Sequence, residues 1–186
     1  MSDISLENTA TAELSTETAE TTPQINPAKF IFFQQELLRQ QNFLGGLIAG
    51  AIVAVLAGLV WAAISAITGF QIGWMAIGIG FVVGIAVQTF GRGITPRYRF
   101  LGAGLSLFGC LAGNLMTFAM IYSREEATVG FFEVMFFFVT TPAATIEALR
   151  LTFSPIDLLF YGLAIYQGYK LSLRTITSAE MADLTM

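Results

Sequence analysis

Histidine is absent from the 186 residues, cysteine occurs once, and charged side chains make up only 12% of the chain. The single cysteine, Cys110, excludes an intramolecular disulfide. The sequence also lacks metal-ligand spacing, a phosphate-binding loop, and any serine or cysteine beside a plausible base, which are the patterns typical of enzyme sites. We therefore predict a non-enzymatic protein with no cofactor and no metal site.

Charge is missing altogether from two long segments. Gln40 to Gly91 and Phe100 to Ser123 contain no Asp, Glu, Lys or Arg. Each segment exceeds the roughly 20 residues that an α-helix needs to cross a hydrocarbon core of about 30 Å. With 55% apolar residues and a mean hydropathy of +0.69, the chain as a whole is typical of a membrane protein. The sequence predicts an all-α fold, a polytopic membrane bundle of about four transmembrane helices with interfacial helices.

Turn residues and charges divide the bundle, at 44–171, into its parts. The predicted spans are about 44–68, 74–90, 100–122 and 155–171. Between the last two spans, 129–150 carries an aromatic run broken by Thr141-Pro142. Thr141 is suited to an N-cap and Pro142 to the first helical position, so a short helix begins there. We predict two interfacial or re-entrant pieces in 129–150 and leave open whether this region spans the membrane.

The segments outside the bundle differ from it in composition. Residues 1–26 contain five acidic and no basic residues and few large apolar ones, which predicts a disordered acidic tail. Residues 27–43 place Phe30, Phe33 and Leu37 near one helical face, as expected of an amphipathic interfacial helix. A partner-binding helix is the alternative for this segment. Residues 172–186 form a second tail, predicted to be cytoplasmic.

The positions of the basic residues predict the orientation. With both termini cytoplasmic, four spans place seven of the nine basic residues inside and two outside, as the positive-inside rule requires. A fifth span at 129–150 would reduce this to six against three. We therefore predict four spans with both termini cytoplasmic. The inner residues are Lys29, Arg39, Arg92, Arg97, Arg99, Lys170 and Arg174, and the outer ones are Arg124 and Arg150.

Small residues recur every four positions along the spans. Close approach of backbones, which small residues permit, holds helices together in lipid, where water supplies no driving force between them. The pattern predicts tight helix packing and leaves open whether the partner is another span, a second copy or a larger membrane complex. These residues are Gly46, Gly50, Ala54 and Gly58 in the first span, Gly80 and Gly84 in the second, and Gly109 and Gly113 in the third.

Polar residues at membrane depth are the other candidates for function, because each costs free energy unless it is paired. Asn114 lies about 14 residues into the third span, roughly 21 Å along its axis, where its amide is expected to bridge helices or contact a substrate. Glu147 and Arg150 are three residues apart and suited to a local ion pair. Asp157 follows a Ser-Pro pair and is suited to a helix start. The alternative is an outer-face site formed by Glu133, Glu147, Arg150 and Asp157.

Three segments resemble an uncharacterised family of bacterial four-span integral membrane proteins. They are Gly73-Trp74-Met75-Ala76-Ile77-Gly78-Ile79-Gly80 with Gly84, Gly109-Cys110-Leu111-Ala112-Gly113-Asn114, and Asp157-Leu158-Leu159-Phe160-Tyr161-Gly162. The resemblance covers about 44–171 and implies a four-span architecture in the bacterial inner membrane, without an assigned activity.

The leading functional hypothesis is a small non-enzymatic membrane protein that packs through its Gly/Ala faces with itself or with a larger membrane complex. An oligomeric transporter or channel is the alternative, and a membrane enzyme using the outer-face carboxylates comes third. The basic residues are explained by orientation and lipid headgroups, so the expected partners are the lipid bilayer and membrane proteins, with no nucleic acid.

Overall fold

The computed structural model describes residues 27–70, 73–126, 128–177 and 180. Among these residues it contains seven helices and no strand. The predicted acidic tail at 1–26 and most of the predicted tail at 172–186 lie outside the described residues. The helices are α1 Pro27–Arg39, α2 Phe43–Thr68, α3 Trp74–Gly91, α4 Pro96–Glu125, α5 Phe131–Thr140, α6 Pro142–Thr152 and α7 Pro155–Leu171.

Contacts divide the chain into two units. The larger, Glu36–Thr175, contains the last turn of α1 and all of α2 to α7. The other includes the described residues 27–35, 176, 177 and 180. Within α1, Leu37 is buried, and the helix ends at Arg39 instead of continuing to residue 43. The chain breaks there because Asn42 caps α2, accepting a hydrogen bond from Gly45 N through Oδ1 at 2.8 Å.

The ends of the helices follow from local residue chemistry. Gly69, with φ of 71°, ends α2 in the left-handed conformation and donates its N–H to Ser65 O. Thr141 occupies the N-cap position of α6, although its side chain makes no capping hydrogen bond. Proline at the first helical position suits a helix start because its missing N–H has no intrahelical partner there. Such prolines begin α4, α6 and α7, at Pro96, Pro142 and Pro155.

Four helices form the bundle, in the order α2, α3, α7 and α4 around its axis. Asn42 N donates to Gly91 O at 2.8 Å, which joins the start of α2 to the end of α3. At the other end, Arg124 Nη1 donates to Ala66 O at 2.6 Å, which joins the ends of α4 and α2. Helices α2 and α4 therefore run in one direction, and α3 and α7 run in the other. We call the end where α2 and α4 begin the basic end, and the end where they finish the hairpin end.

Helices α5 and α6 form a bent hairpin, with 113° between them at Thr141, and both pack on α4. The hairpin leaves α4 at the hairpin end. Helix α7 starts at that same end, because Gly73 at the start of α3 contacts Phe160 in the first turns of α7. The α5–α6 hairpin therefore returns to the end it left.

The prediction of an all-α membrane bundle is confirmed by the lengths and composition of the helices. Among the described residues, α2, α3 and α4 are each long and apolar enough to cross a membrane, and α5 with α6 reaches that length only as a bent pair. Helix α7 has 17 residues, or about 26 Å, the lower limit for a spanning helix. Helix α4 extends beyond the predicted 100–122 at both ends. Its extra turns carry charged residues, which suit the membrane interface and lie outside the apolar segment from which the span was predicted.

Candidate functional site

The small residues of α2 pack against the neighbouring helices of the same chain. A methyl group on Gly58 would lie 3.1 Å from Gly113 N and 3.2 Å from Gly109 O. The backbones of α2 and α4 are therefore in direct contact at Gly58. A methyl group on Gly46 would lie 3.0 Å from Gly91 Cα on α3. The buried face of α2 thus packs within the bundle, and it comprises Gly46, Gly50, Ala54, Gly58, Trp61, Ala62 and Ser65.

Helices α3 and α7 meet through a second set of small residues. Gly80 lies against the main chain of Ala164, and a methyl group on Gly84 would lie 3.3 Å from Gln167 O and 3.4 Å from Gly168 Cα. The pair on α7, Ala164 and Gly168, was not identified from the sequence. The four-residue spacing of Ala164 and Gly168 could have indicated this contact from the sequence. All of the small residues predicted to pack therefore lie in helix contacts inside the chain.

A hydrogen bond crosses the interior between α4 and α7. Asn114 Nδ2 donates to Tyr161 Oη at 2.5 Å, and the two residues are only 2% and 5% exposed. Tyr161 was not identified from the sequence as the hydrogen-bond partner of Asn114. Three other buried hydroxyls donate to carbonyls one turn earlier in the sequence, with Ser106 to Gly102 O, Thr117 to Gly113 O and Ser172 to Gly168 O.

The α5–α6 hairpin and α4 line an open pocket of about 490 Å³, which we call the hairpin pocket. Two carboxylates, Glu133 of α5 and Glu147 of α6, line it. The rest of its lining is apolar or aromatic and includes Phe118, Tyr122, Val134, Phe138, Ala144 and Ala148. The structure therefore brings two of the predicted polar residues together over an aromatic floor.

The bend between α5 and α6 explains why the hairpin pocket exists. Thr141-Pro142 interrupts the helix, because a proline at that position cannot donate the next helical hydrogen bond. Thr145 Oγ1 donates to Phe138 O at 2.6 Å, which ties the start of α6 to the end of α5. A small buried cluster of Ala119, Val134, Phe138 and Ala148 then seats the hairpin on α4.

The remaining outer-face candidates do not join the hairpin pocket. Arg150 Nη1 lies 4.0 Å from Glu147 Oε2, and both side chains are well exposed, so this local pair contributes little stability. Asp157 Oδ2 accepts from Ser154 N at 2.8 Å and so caps the start of α7. It lines a separate groove with Trp74 and Phe160.

Two buried polar atoms on α2 were not singled out from the sequence. Trp61 Nε1 and Ser65 Oγ belong to residues that are each 2% exposed, and neither atom has a hydrogen-bond partner among the described residues. Unpaired polar groups in an apolar interior cost free energy. Trp61 and Ser65 are one turn apart on the face that carries Gly58 and Ala62. This spacing could have indicated from the sequence that both are buried.

A shallow groove of about 410 Å³ runs along the outer surface between α2 and α3, and we call it the α2–α3 groove. Gly45, Ala49 and Val53 line its floor at four-residue spacing. Ile48 and Ile52 stand beside them and are 51% and 55% exposed. Phe90 of α3 contributes the remaining wall. These residues form a second small-residue face, offset by one position from the buried one.

Searches of protein-family models, curated proteins and solved structures found no match to this chain. The resemblance to a bacterial four-span family therefore stays a prediction.

Proposed function

We propose that this chain is a non-enzymatic integral membrane protein that associates with other membrane helices through the α2–α3 groove, and that the occupant is a second copy of the chain. The observation that supports this proposal is that one face of α2 carries two features side by side. Gly45 and Ala49 line the floor of the groove, and the exposed side chains of Ile48 and Ile52 form a ridge beside it. Small residues at four-residue spacing let a second helix approach closely, which is how membrane helices associate.

The inner small residues are already used inside the bundle. A methyl group on Gly58 would press on the backbone of α4, and one on Gly46 on the backbone of α3, so this face has no room for a further helix. A partner must therefore contact α2 from its outer side. There the α2–α3 groove supplies Ala49 as its small residue, one turn from Gly45, which packs against Asn42 and Phe90 O.

The shape of the groove favours a second copy. A two-fold symmetric interface pairs each surface feature with its complement on the same surface of the partner. Here the ridge of Ile48 and Ile52 adjoins the floor of Gly45 and Ala49 on a single helix. The ridge of one copy fits the floor of the other without any further element.

We also propose the orientation that the basic residues indicate, with the basic end cytoplasmic and the membrane being the bacterial inner membrane. At that end Arg99 lies over the Tyr169 ring, 5.3 Å from its centroid, and Lys170 lies 5.8 Å from that of Tyr166. Such pairs suit the headgroup region, where aromatic rings and basic residues collect. Arg92, Arg97 and Arg174 belong to the same end.

Transport by an oligomer is the alternative, and it requires a continuous polar path. In the bundle, Asn114 bonds to Tyr161, and three other buried hydroxyls bond to main-chain carbonyls. The buried polar atoms without a partner among the described residues of α2 are Trp61 Nε1 and Ser65 Oγ, and two atoms one turn apart do not make a path across the membrane. Catalysis by the outer-face carboxylates comes third, and no specific contact favours it.

Cysteine crosslinking in native membranes tests the association. In a Cys110→Ser background, Ala49→Cys is expected to form an oxidative crosslink at twice the chain mass. Ala49→Phe, which fills the groove, is expected to abolish association measured by counting subunits in nanodiscs. Leu163 of α7 is lipid-exposed and lies across the bundle from α2, so Leu163→Cys and Leu163→Phe are the matched controls.

A crosslink to a different, larger chain would reject the second copy as the occupant. Monomeric behaviour of the unmodified chain, with no Ala49→Cys adduct, would reject association through the groove altogether.

A further inference from the structure

We propose that the hairpin pocket is a binding site for a hydrophobic organic cation. This inference stands on the pocket itself and does not depend on association through the α2–α3 groove. Its volume of about 490 Å³ falls in the range of about 300–1,000 Å³ that is usual for small-molecule sites. Such sites combine an apolar lining with a few polar groups that fix the ligand.

The charge of the lining selects the sign of the ligand. Glu133 and Glu147 are the charged residues among those that line the pocket, and no Lys or Arg lines it. The side chain of Glu133 has neither a hydrogen bond nor an ion pair with the described residues. Glu147 has only the exposed contact with Arg150 at 4.0 Å, which a bound cation can replace. The pocket therefore favours a cation over an anion of the same size.

The aromatic lining selects the chemical type of the cation. Phe118 and Tyr122 are stacked with their ring centroids 6.1 Å apart, and Phe118 also meets Phe138 at 5.8 Å. Aromatic faces attract cations, and most strongly those that carry little bound water, such as quaternary ammonium groups. A small, strongly hydrated ion would gain nothing from this apolar floor. The geometry favours an organic cation with an apolar body.

The location of the pocket gives the ligand a route. Glu133 is in the first turn of α5 and Glu147 is in the middle of α6. Both residues are exposed, so a ligand can reach the carboxylates from the surface. Val134, Phe138 and Ala148 form the buried floor beneath them. An amphiphile can place its charge beside the carboxylates and its apolar part on the floor.

Binding of tetraphenylphosphonium tests the proposal, with tetraphenylborate as an anion of nearly the same size and shape. The full chain in zwitterionic nanodiscs is expected to bind radiolabelled tetraphenylphosphonium saturably above empty nanodiscs, and tetraphenylborate only to the background level. The double variant Glu133→Gln/Glu147→Gln is expected to weaken binding by about tenfold or more. Ala144→Leu, which narrows the pocket, is expected to have a similar effect.

Glu126→Gln is the matched control, because Glu126 is exposed and does not line the pocket. Its binding is expected to equal that of the unmodified chain. Unchanged thermal unfolding of the double variant shows that lost binding is not lost folding. Equal binding of both ions, or full binding by the double variant, would overturn the cation site and leave the pocket to lipid chains. If Ala144→Leu lost binding while the double variant kept it, the cation site would likewise be overturned, in favour of a neutral ligand.

Discussion

Gly58 of α2 and Gly113 of α4 lie so close that a methyl group on Gly58 would be 3.1 Å from the Gly113 nitrogen. The contact is made by backbone on both sides, so no side chain can move away to admit a larger residue. Dispersion contacts of this kind hold membrane helices together where water supplies no driving force. The pair therefore fixes the distance between α2 and α4.

We expect Gly58→Leu to lower the free energy of unfolding by about 1–3 kcal/mol or more, because it overpacks a contact that cannot relax. The measurement is a detergent-unfolding titration in mixed micelles. Gly104→Leu on α4 is the matched control, because a methyl group there would meet nothing within 4 Å. Equal losses at both positions would mean that the glycines reflect composition and not packing.

The Asn114–Tyr161 hydrogen bond is expected to contribute modestly to stability. Interhelical hydrogen bonds in membrane proteins are worth roughly 0.6 kcal/mol on average and about 1.7 at most. Tyr161→Phe should lower the free energy of unfolding by that amount, and adding Asn114→Leu should cost less than the sum of the two single changes. Tyr166→Phe, on an exposed tyrosine of the same helix, should leave the free energy of unfolding unchanged, because it keeps the ring that lies beside Lys170. Strict additivity in this cycle would show that the two side chains do not interact.

The bond from Thr145 Oγ1 to Phe138 O at 2.6 Å is expected to hold the α5–α6 hairpin together. Thr145→Val keeps the shape of the side chain and removes the donor, so hydrogen exchange should quicken across 131–152 while α2 stays protected. Thr140→Val is the control, because the Thr140 hydroxyl bonds only within α5. Identical exchange rates in the two variants would show that this hydrogen bond does not hold the hairpin together.

Much of the bundle was predictable because the membrane imposes a simple length rule. Charge-free segments gave the positions of α2 and α3 to within a residue, and Thr141-Pro142 gave the break in the hairpin. The stripe of Gly46, Gly50, Ala54 and Gly58 was recognisable from spacing. Its partner was not, because the identity of the facing helix depends on how the spans are arranged around the bundle axis.

The candidate sites were less predictable, for a related reason. Glu133 and Glu147 are separated along the chain by the bend at Thr141, and only the 113° angle brings both to one pocket. Asp157 is close to Arg150 in sequence, yet it caps α7 and lines a different groove. Tyr161 was missed because a tyrosine in a span is compatible with either the interface or the interior. Which of these residues lie together depends on the distances between helices, and the sequence does not contain those distances.

We propose that α2, α3, α4 and α7 cross the membrane, and we expect the α5–α6 hairpin to return to the side that it left. Single cysteines in a Cys110→Ser background test it directly through labelling of intact cells. Thr128→Cys, before the hairpin, and Ser154→Cys, after it, are expected to react with a membrane-impermeant thiol reagent, and Thr95→Cys and Thr175→Cys only with a permeant one. Labelling of Thr128→Cys and Ser154→Cys from opposite sides would show instead that the hairpin is a fifth crossing.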